Sequence, residues 1–311
     1  MKKQSFAAAI LTAALIAATA WTPGQKPITK IDRKAGLKPV PQYAGMPANE
    51  LGGRAFIESV EKLGSWERDD KVIEAVVSGK VPESMKNFRH IKYKTPVDAS
   101  VPALSKPHTV ELWVLPDYLA VGRDDDFIRM PVGPLAAQKM ADELDCCLPT
   151  TYLVDRIDEV AEGRLDIFPF RPVGGRNMEP FCFQDHQFVI DALYKVKGYH
   201  LGQFISGLKK DIVLTSVIED DPRYARSVCI YGWHHPDGHP QQPLFVRHGN
   251  FYMDYSHGVR LIWHTVKVDG VEHELRDLME SPELYRLVSD EKQPLRHADY
   301  NWQEPWYFGS K

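Results

Sequence analysis

From Asp211 to Leu275 the chain is cut into short strands, and this constrains its fold more than any other feature. Ile212–Thr215, Ser227–Tyr231, Leu244–Val246, Phe251–Tyr255 and Val259–Val268 are runs of β-branched, aromatic and aliphatic residues. Turn-forming residues separate them. Asp269-Gly270 is a two-residue hairpin signal that returns the chain through Val271–Leu275. Upstream, the spacing is helical. Phe56, Val60 and Leu63 mark one helix over Arg54–Leu63. Val72, Ile73 and Val76 mark a second over Asp69–Ser78, with Gly79 to stop it and Pro82 beyond. Pro134–Leu144 starts with Pro in its first turn, and Thr150 caps a helix running to about Ala161, ahead of Gly163. Gln184–Lys195 is a further helix, and Ser281 opens a last short one. Thr109–Leu115 and Tyr118–Val121 are early strands, broken by Pro116-Asp117. Helices followed by strands predict an α+β fold, with a helical N-terminal half packed on a mainly antiparallel sheet from the C-terminal half.

The first twenty residues read as an address. Lys2 and Lys3 precede an apolar run from Phe6 to Ala18, and Ala18-Thr19-Ala20 is an A-x-A cleavage site before Trp21. This predicts a signal peptide over 1–20 and a secreted or periplasmic protein without stable membrane insertion after cleavage. The expected order is an extended leader over 21–50, a single α+β domain over 51–292 and an aromatic-rich tail over 293–311. The net charge of −4 gives no electrostatic support to nucleic-acid binding. An oxidising compartment would permit a disulfide among Cys146, Cys147, Cys182 and Cys229. The adjacent pair, Cys146 and Cys147, is poorly placed to bond to itself.

Tyr231–His264 holds six of the twelve histidines, together with Asp237, Asp254, Ser256, Arg247 and Arg260. Read as a strand, Phe251–Ile262 alternates faces. Tyr252, Asp254, Ser256 and Arg260 share one face. Met253, Tyr255, His257, Val259 and Leu261 share the other. Ser256 and His257 therefore point apart and do not form a nucleophile–base pair unless Gly258 or a bulge rotates the backbone. His257 is either a core histidine or the acid–base group at the floor of a cleft. Cys146 and Cys147 lie just before the helix start at Thr150, and a helix N-terminus favours thiolate. His234, His235 and His239, with Asp237, would suit zinc only if three or four ligands converged. The intervening Pro236, Gly238 and Pro240 make this segment a turn. Asp124–Asp126 is either a solvated acidic loop or a cation site. Lys209, Lys210 and Asp211 are a charged turn or an anion clamp.

Three resemblances follow from these residues. Ser256-His257-Gly258-Val259-Arg260-Leu261 resembles the SHGC[IV]R[LM] signature of L,D-transpeptidases, with His248-Gly249 standing for an upstream HG. The Cys of that signature is absent, and with it the thiolate mechanism. The order of Cys146, helix, strands and a later His is similar to NlpC/P60-like and papain-like cysteine peptidases, although Asp145-Cys146-Cys147-Leu148 keeps only the start of their DCSG-like motif. Over most of its length the chain resembles exported bacterial proteins of unassigned function. The shared phrases are Leu115–Ala120 with Asp124–Phe127, Leu148-Pro149-Thr150, Lys209-Lys210-Asp211, Tyr231–His234 and Asp254–Gly258. That pattern implies a His ahead of the two lysines, where this chain has Leu208.

The resulting expectation is an exported hydrolase acting on a cell-envelope or extracellular polymer, by amide or peptide cleavage in peptidoglycan. Cys146 would be the nucleophile, His257 or His248 the base and Asp254 the orienter. Arg260, Lys210, Tyr231 and Trp233 would hold substrate, with no cofactor required. The alternatives are a non-catalytic envelope or polysaccharide-binding protein and a hydrolase using zinc, or another divalent metal, at His234 and His239.

Overall fold

A computed structural model describes residues 49–305. The expected signal peptide, nearly all of the expected leader and the end of the tail from residue 306 lie outside the described residues. The elements in chain order are α1 (Gly53–Val60), α2 (Ser65–Val77), β1 (Arg89–Lys94), β2 (Thr109–Val114), β3 (Ala120–Arg123), β4 (Asp126–Arg129) and α3 (Pro134–Glu143). Then come β5 (Cys146–Cys147), α4 (Thr151–Glu159), β6 (Gly163–Arg164), α5 (Pro180–Lys197), β7 (Ile205–Ser206), β8 (Lys210–Ile212) and α6 (Val217–Asp220). The chain continues with β9 (Ser227–His234), β10 (Pro240–Gly249), β11 (His257–Gly258), β12 (Ile262–Trp263), β13 (Thr265–Val268), β14 (Val271–Glu274) and α7 (Leu275–Glu280).

The fold is α+β and mainly antiparallel. One sheet runs β14-β13-β2-β12-β5, with β1 also paired to β2; a second runs β10-β9-β8-β11. The first sheet thus draws strands from both halves of the chain, not from the C-terminal half alone. β2 explains its own central place: Val110, Leu112 and Val114 alternate into the core, while Thr109, Glu111 and Trp113 face the half-exposed side. The Asp269-Gly270 turn has φ of 50° and 82° at its two residues. That is the left-handed pair a type I′ hairpin needs.

Local chemistry sets the helix ends. The Thr150 hydroxyl accepts the Leu153 amide at 3.2 Å, as expected of an N-cap. Asp126 accepts the Arg54 amide at 3.0 Å, so a distant carboxylate caps α1. Asp124 accepts the Ser84 amide and hydroxyl, and Asp125 is paired with Arg123. The Asp124–Asp126 run therefore serves local capping and pairing. α5 starts at Pro180, earlier than its apolar spacing suggests, because Pro is suited to the first helical position. It ends at Gly198, with φ of 72°. Ser281 ends α7, and its hydroxyl accepts the Leu284 amide at 3.1 Å ahead of a short 3-10 helix at Tyr285–Leu287.

Three strand expectations change, the first being Ile212–Thr215, of which only Ile212 lies in a strand, β8, that begins at Lys210. Phe251–Tyr255 is a turn, and Val259–Val268 breaks into two pieces. The tail does not lie across the surface. Leu295, Ala298 and Tyr300 are buried in the main core, and the Tyr300 hydroxyl donates to Val213 O at 2.7 Å. All four cysteines are free and buried, so no disulfide forms. Among the described residues, no helix is long and apolar enough to cross a membrane.

Candidate functional site

The second sheet ends in a short parallel pair, with His257 opposite Lys210 and Gly258 opposite Asp211. Partners in register point to the same side of a sheet. Lys210 and His257 are thereby neighbours, and Asp211 turns away toward Tyr118, whose hydroxyl donates to it at 2.7 Å. The preceding turn brings a third group. The Ser256 amide donates to Asp254 Oδ1 at 2.8 Å, and the Ser256 hydroxyl donates to the same oxygen. This Asx-type turn breaks the alternation expected of a strand. Asp254 therefore stands beside His257 instead of on the opposite face. Asp254 Oδ1 is 3.8 Å from His257 Nε2, and Asp254 Oδ2 is 3.8 Å from Lys210 Nζ.

His257 is fully buried, and among the described residues neither ring nitrogen has a hydrogen-bond partner. Such orphaned polar atoms are rare in a folded core. Burial pushes the imidazole down to about 4 despite the nearby Asp254 carboxylate. It is neutral at pH 7. For Asp254, burial opposes ionisation, but His257, Lys210 and the Ser256 hydrogen bonds outweigh it and hold the carboxyl at about 2. The Ser256 hydroxyl is committed to Asp254 and buried, which leaves it no role as a nucleophile. Tyr252 stands edge-on to His257 at 5.7 Å between ring centroids and stacks on His248 at 3.9 Å. His248 is half-buried, and burial lowers its pKa.

Below this triad is a second layer. Lys209 is buried and donates to Tyr255 O, and its Nζ lies 3.3 Å from His186 Nδ1. Burial, with Arg129 adding to it, lowers the amine to about 7. His186 packs against Trp233 and Tyr255, and Tyr255 stacks on Phe170. Lys210 Nζ lies 5.8 Å from the centre of the Trp233 ring. Trp233 has φ of 53°, an unusual conformation for a bulky residue, and Gly232 before it has φ of 92°. This irregularity in β9 turns Trp233 toward Lys210. It also lets Tyr231 and His234 both face α4, where the Tyr231 hydroxyl donates to Asp155 Oδ1 at 2.9 Å and His234 Nε2 is 2.9 Å from the same oxygen.

The expected site residues thus divide. His257, Asp254, Lys210, His248 and Trp233 converge. Tyr231 is drawn to Asp155 instead. Arg260 is buried on the far side, stacked over Tyr118 and donating to Ile205 O at 2.7 Å, so it braces the core rather than meeting substrate. Cys146 is in β5, opposite Trp263 in the other sheet, and its thiol donates to Leu144 O. Burial, with Cys147 and Asp145 adding to it, pushes this thiol up, the opposite of a poised thiolate. Cys147 and Cys229 are each pushed to about 12 by burial. His234 is committed to Asp155, while the exposed His239 pairs with Asp237. Among the described residues, no three His, Cys, Asp or Glu side chains converge as metal ligands.

Two groups near the centre escaped the sequence reading. Cys182 and His186 lie one helical turn apart on α5, on one buried stripe. Their i, i+4 spacing in Phe181–Gln187 is the signal that could have found them. Burial raises the Cys182 thiol as well, with the Asp185 and Glu179 carboxylates contributing.

No family model, curated protein or solved structure matches the chain.

Proposed function

We propose that the protein is an exported hydrolase of a cell-envelope polymer, cleaving amide or peptide bonds in peptidoglycan, and that its centre is Asp254–His257–Lys210 without a thiol nucleophile. The observation that carries this reading is the buried imidazole of His257, unbonded at both nitrogens among the described residues and beside a carboxylate whose other oxygen faces Lys210. A neutral imidazole accepts a proton. In the proposed reaction His257 takes one from a water molecule as the water oxygen attacks the scissile carbonyl carbon. Asp254 stabilises the imidazolium that forms, and Lys210 offsets the negative charge gathering on the carbonyl oxygen. The C–N bond then breaks, and the imidazolium returns its proton to the departing amine. Tyr252 and His248 stand over His257, so substrate entry displaces the Tyr252 ring.

The test uses purified peptidoglycan sacculi and mass spectrometry of the released fragments. Wild-type protein is expected to release peptides with newly formed carboxyl and amino ends. His257→Gln is expected to lower turnover by roughly 10²- to 10⁴-fold with an unchanged circular dichroism spectrum. Equal turnover in the variant would remove His257 from the chemistry.

Phe168, 58% exposed and edge-on to the half-buried Phe170, favours a second reading as a non-catalytic polymer-binding protein. Sedimentation with sacculi that His257→Gln leaves intact, with no fragment released by wild-type protein, would select it.

A further inference from the structure

A separate cleft of about 470 Å³ opens between the end of α1, the start of α2 and the N-terminus of α5. Its walls include Lys62, Arg68, Arg176, Met178, Glu179 and Phe181. Arg68 is the unusual member. It is only 4% exposed, yet it has no carboxylate within ion-pair distance among the described residues. One guanidinium nitrogen donates to Met178 O at 3.1 Å, and the group lies over the Phe183 ring at 5.3 Å. Its Nε is buried without a partner among the described residues. A buried cation with only Asp69 to compensate it among the described residues is costly, so its retention calls for a further counter-charge.

The nearest chain carboxylates are engaged elsewhere or outside. Asp69 turns to the Gly133 amide at 3.0 Å, and burial raises it to about 7, which weakens its compensation of Arg68. Glu179 is held by Arg176 at 2.7 Å. Glu61 shares the outer rim with Lys62. The eighteen-residue α5 begins at the same wall with Pro180, and no side chain caps it. Pro180 has no N–H and the Cys182 amide donates to Glu179 O, so what this end offers an anion is the positive end of the helix. A planar guanidinium beside it suits an oxyanion.

We infer that this cleft is an oxyanion-binding subsite, in which Arg68 and the start of α5 receive a carboxylate or phosphate group of a ligand. The inference does not depend on hydrolysis at His257. Asn177 does connect the two places: the Tyr255 amide donates to Asn177 O at 3.1 Å, and Asn177 directly precedes Met178 in the cleft wall.

Isothermal titration calorimetry on the full folded chain tests it. The probes are acetyl-alanyl-alanine, its C-terminal amide and inorganic phosphate, at ionic strength matched with sodium chloride. The acid or phosphate is expected to bind at least tenfold tighter than the amide. Arg68→Met is expected to lose at least tenfold of that binding while keeping or raising the Tm, because it removes an unpaired buried charge. Arg176→Gln, at an exposed position and therefore safe for folding, is expected to weaken binding severalfold by releasing Glu179 toward the cleft. Binding of the acid alone points to a carboxylate ligand and of phosphate alone to a phosphorylated one; either supports the subsite. Acid, amide and phosphate binding alike, or binding unaffected in both variants, overturns it.

Discussion

His257 is the residue whose surroundings most directly affect how stability responds to acid. Its folded pKa of about 4 lies below the ordinary 6.5. Between these values the unfolded chain binds a proton that the folded chain refuses. Its contribution is therefore fully present above pH 6.5 and is lost as pH falls toward 4. At roughly 1.4 kcal/mol per unit of pKa, the loss is about 3 kcal/mol. His257→Gln abolishes this part of the slope. Urea denaturation from pH 7 to 4 is expected to show a shallower decline for the variant. His186, also held low by burial, contributes in the same direction, so some decline persists. Parallel curves for the two proteins would mean that His257 takes up its proton normally in the folded state.

The short strand β11 does more than its two residues suggest. It sets His257 beside Lys210, and it brings the backbone at Gly258 hard against Tyr118. A Cβ at Gly258 would lie 2.4 Å from the Tyr118 ring and 3.0 Å from Lys209 side-chain carbons. The ring is fixed by its hydroxyl bond to Asp211, so it cannot easily withdraw. Gly258→Ala is expected to destabilise by about 1–3 kcal/mol, read from the urea midpoint at unchanged m-value. It is also expected to depress any activity of the site, because β11 must shift. In β9, the left-handed backbone at Gly232 and Trp233 divides neighbouring side chains between two faces. This is how Trp233 reaches Lys210 while Tyr231 and His234 share Asp155. Regular alternation could not place all three.

Across the whole molecule, the two sheets separate groups that are close in sequence and join groups that are far apart. Cys146 and Cys147 pair with β12 in the six-stranded sheet, whereas Cys229 lies in β9 of the other and Cys182 on α5. All four are buried as free thiols. Native protein is expected to leave Ellman's reagent unreacted over minutes, with four thiols titrating after addition of denaturant. Fewer than four would indicate a disulfide, and a fast thiol in the native state would reopen nucleophilic chemistry at a cysteine.

Much of the scaffold was legible in local chemistry. The Thr150 cap, the Pro134 start of α3 and the Asp269-Gly270 hairpin each follow from the conformational preference of one or two residues, and no distant contact is needed to read them. The α+β class followed from periodicity in the same way. Five of the expected site residues do gather: His248, Asp254 and His257 lie close in sequence, whereas Lys210 and Trp233 are brought to them by sheet pairing and the bend in β9. Tertiary structure alone decided the rest. Whether Arg260 faces a ligand or Tyr118, whether Cys146 lies beside His257 or in another sheet, and whether Arg68 is paired depend on which elements pack together. Side-chain periodicity records which face is buried, but not what lies across from it. Burial and charge pairing, which set the protonation of His257 and every thiol, arise only when those partners meet.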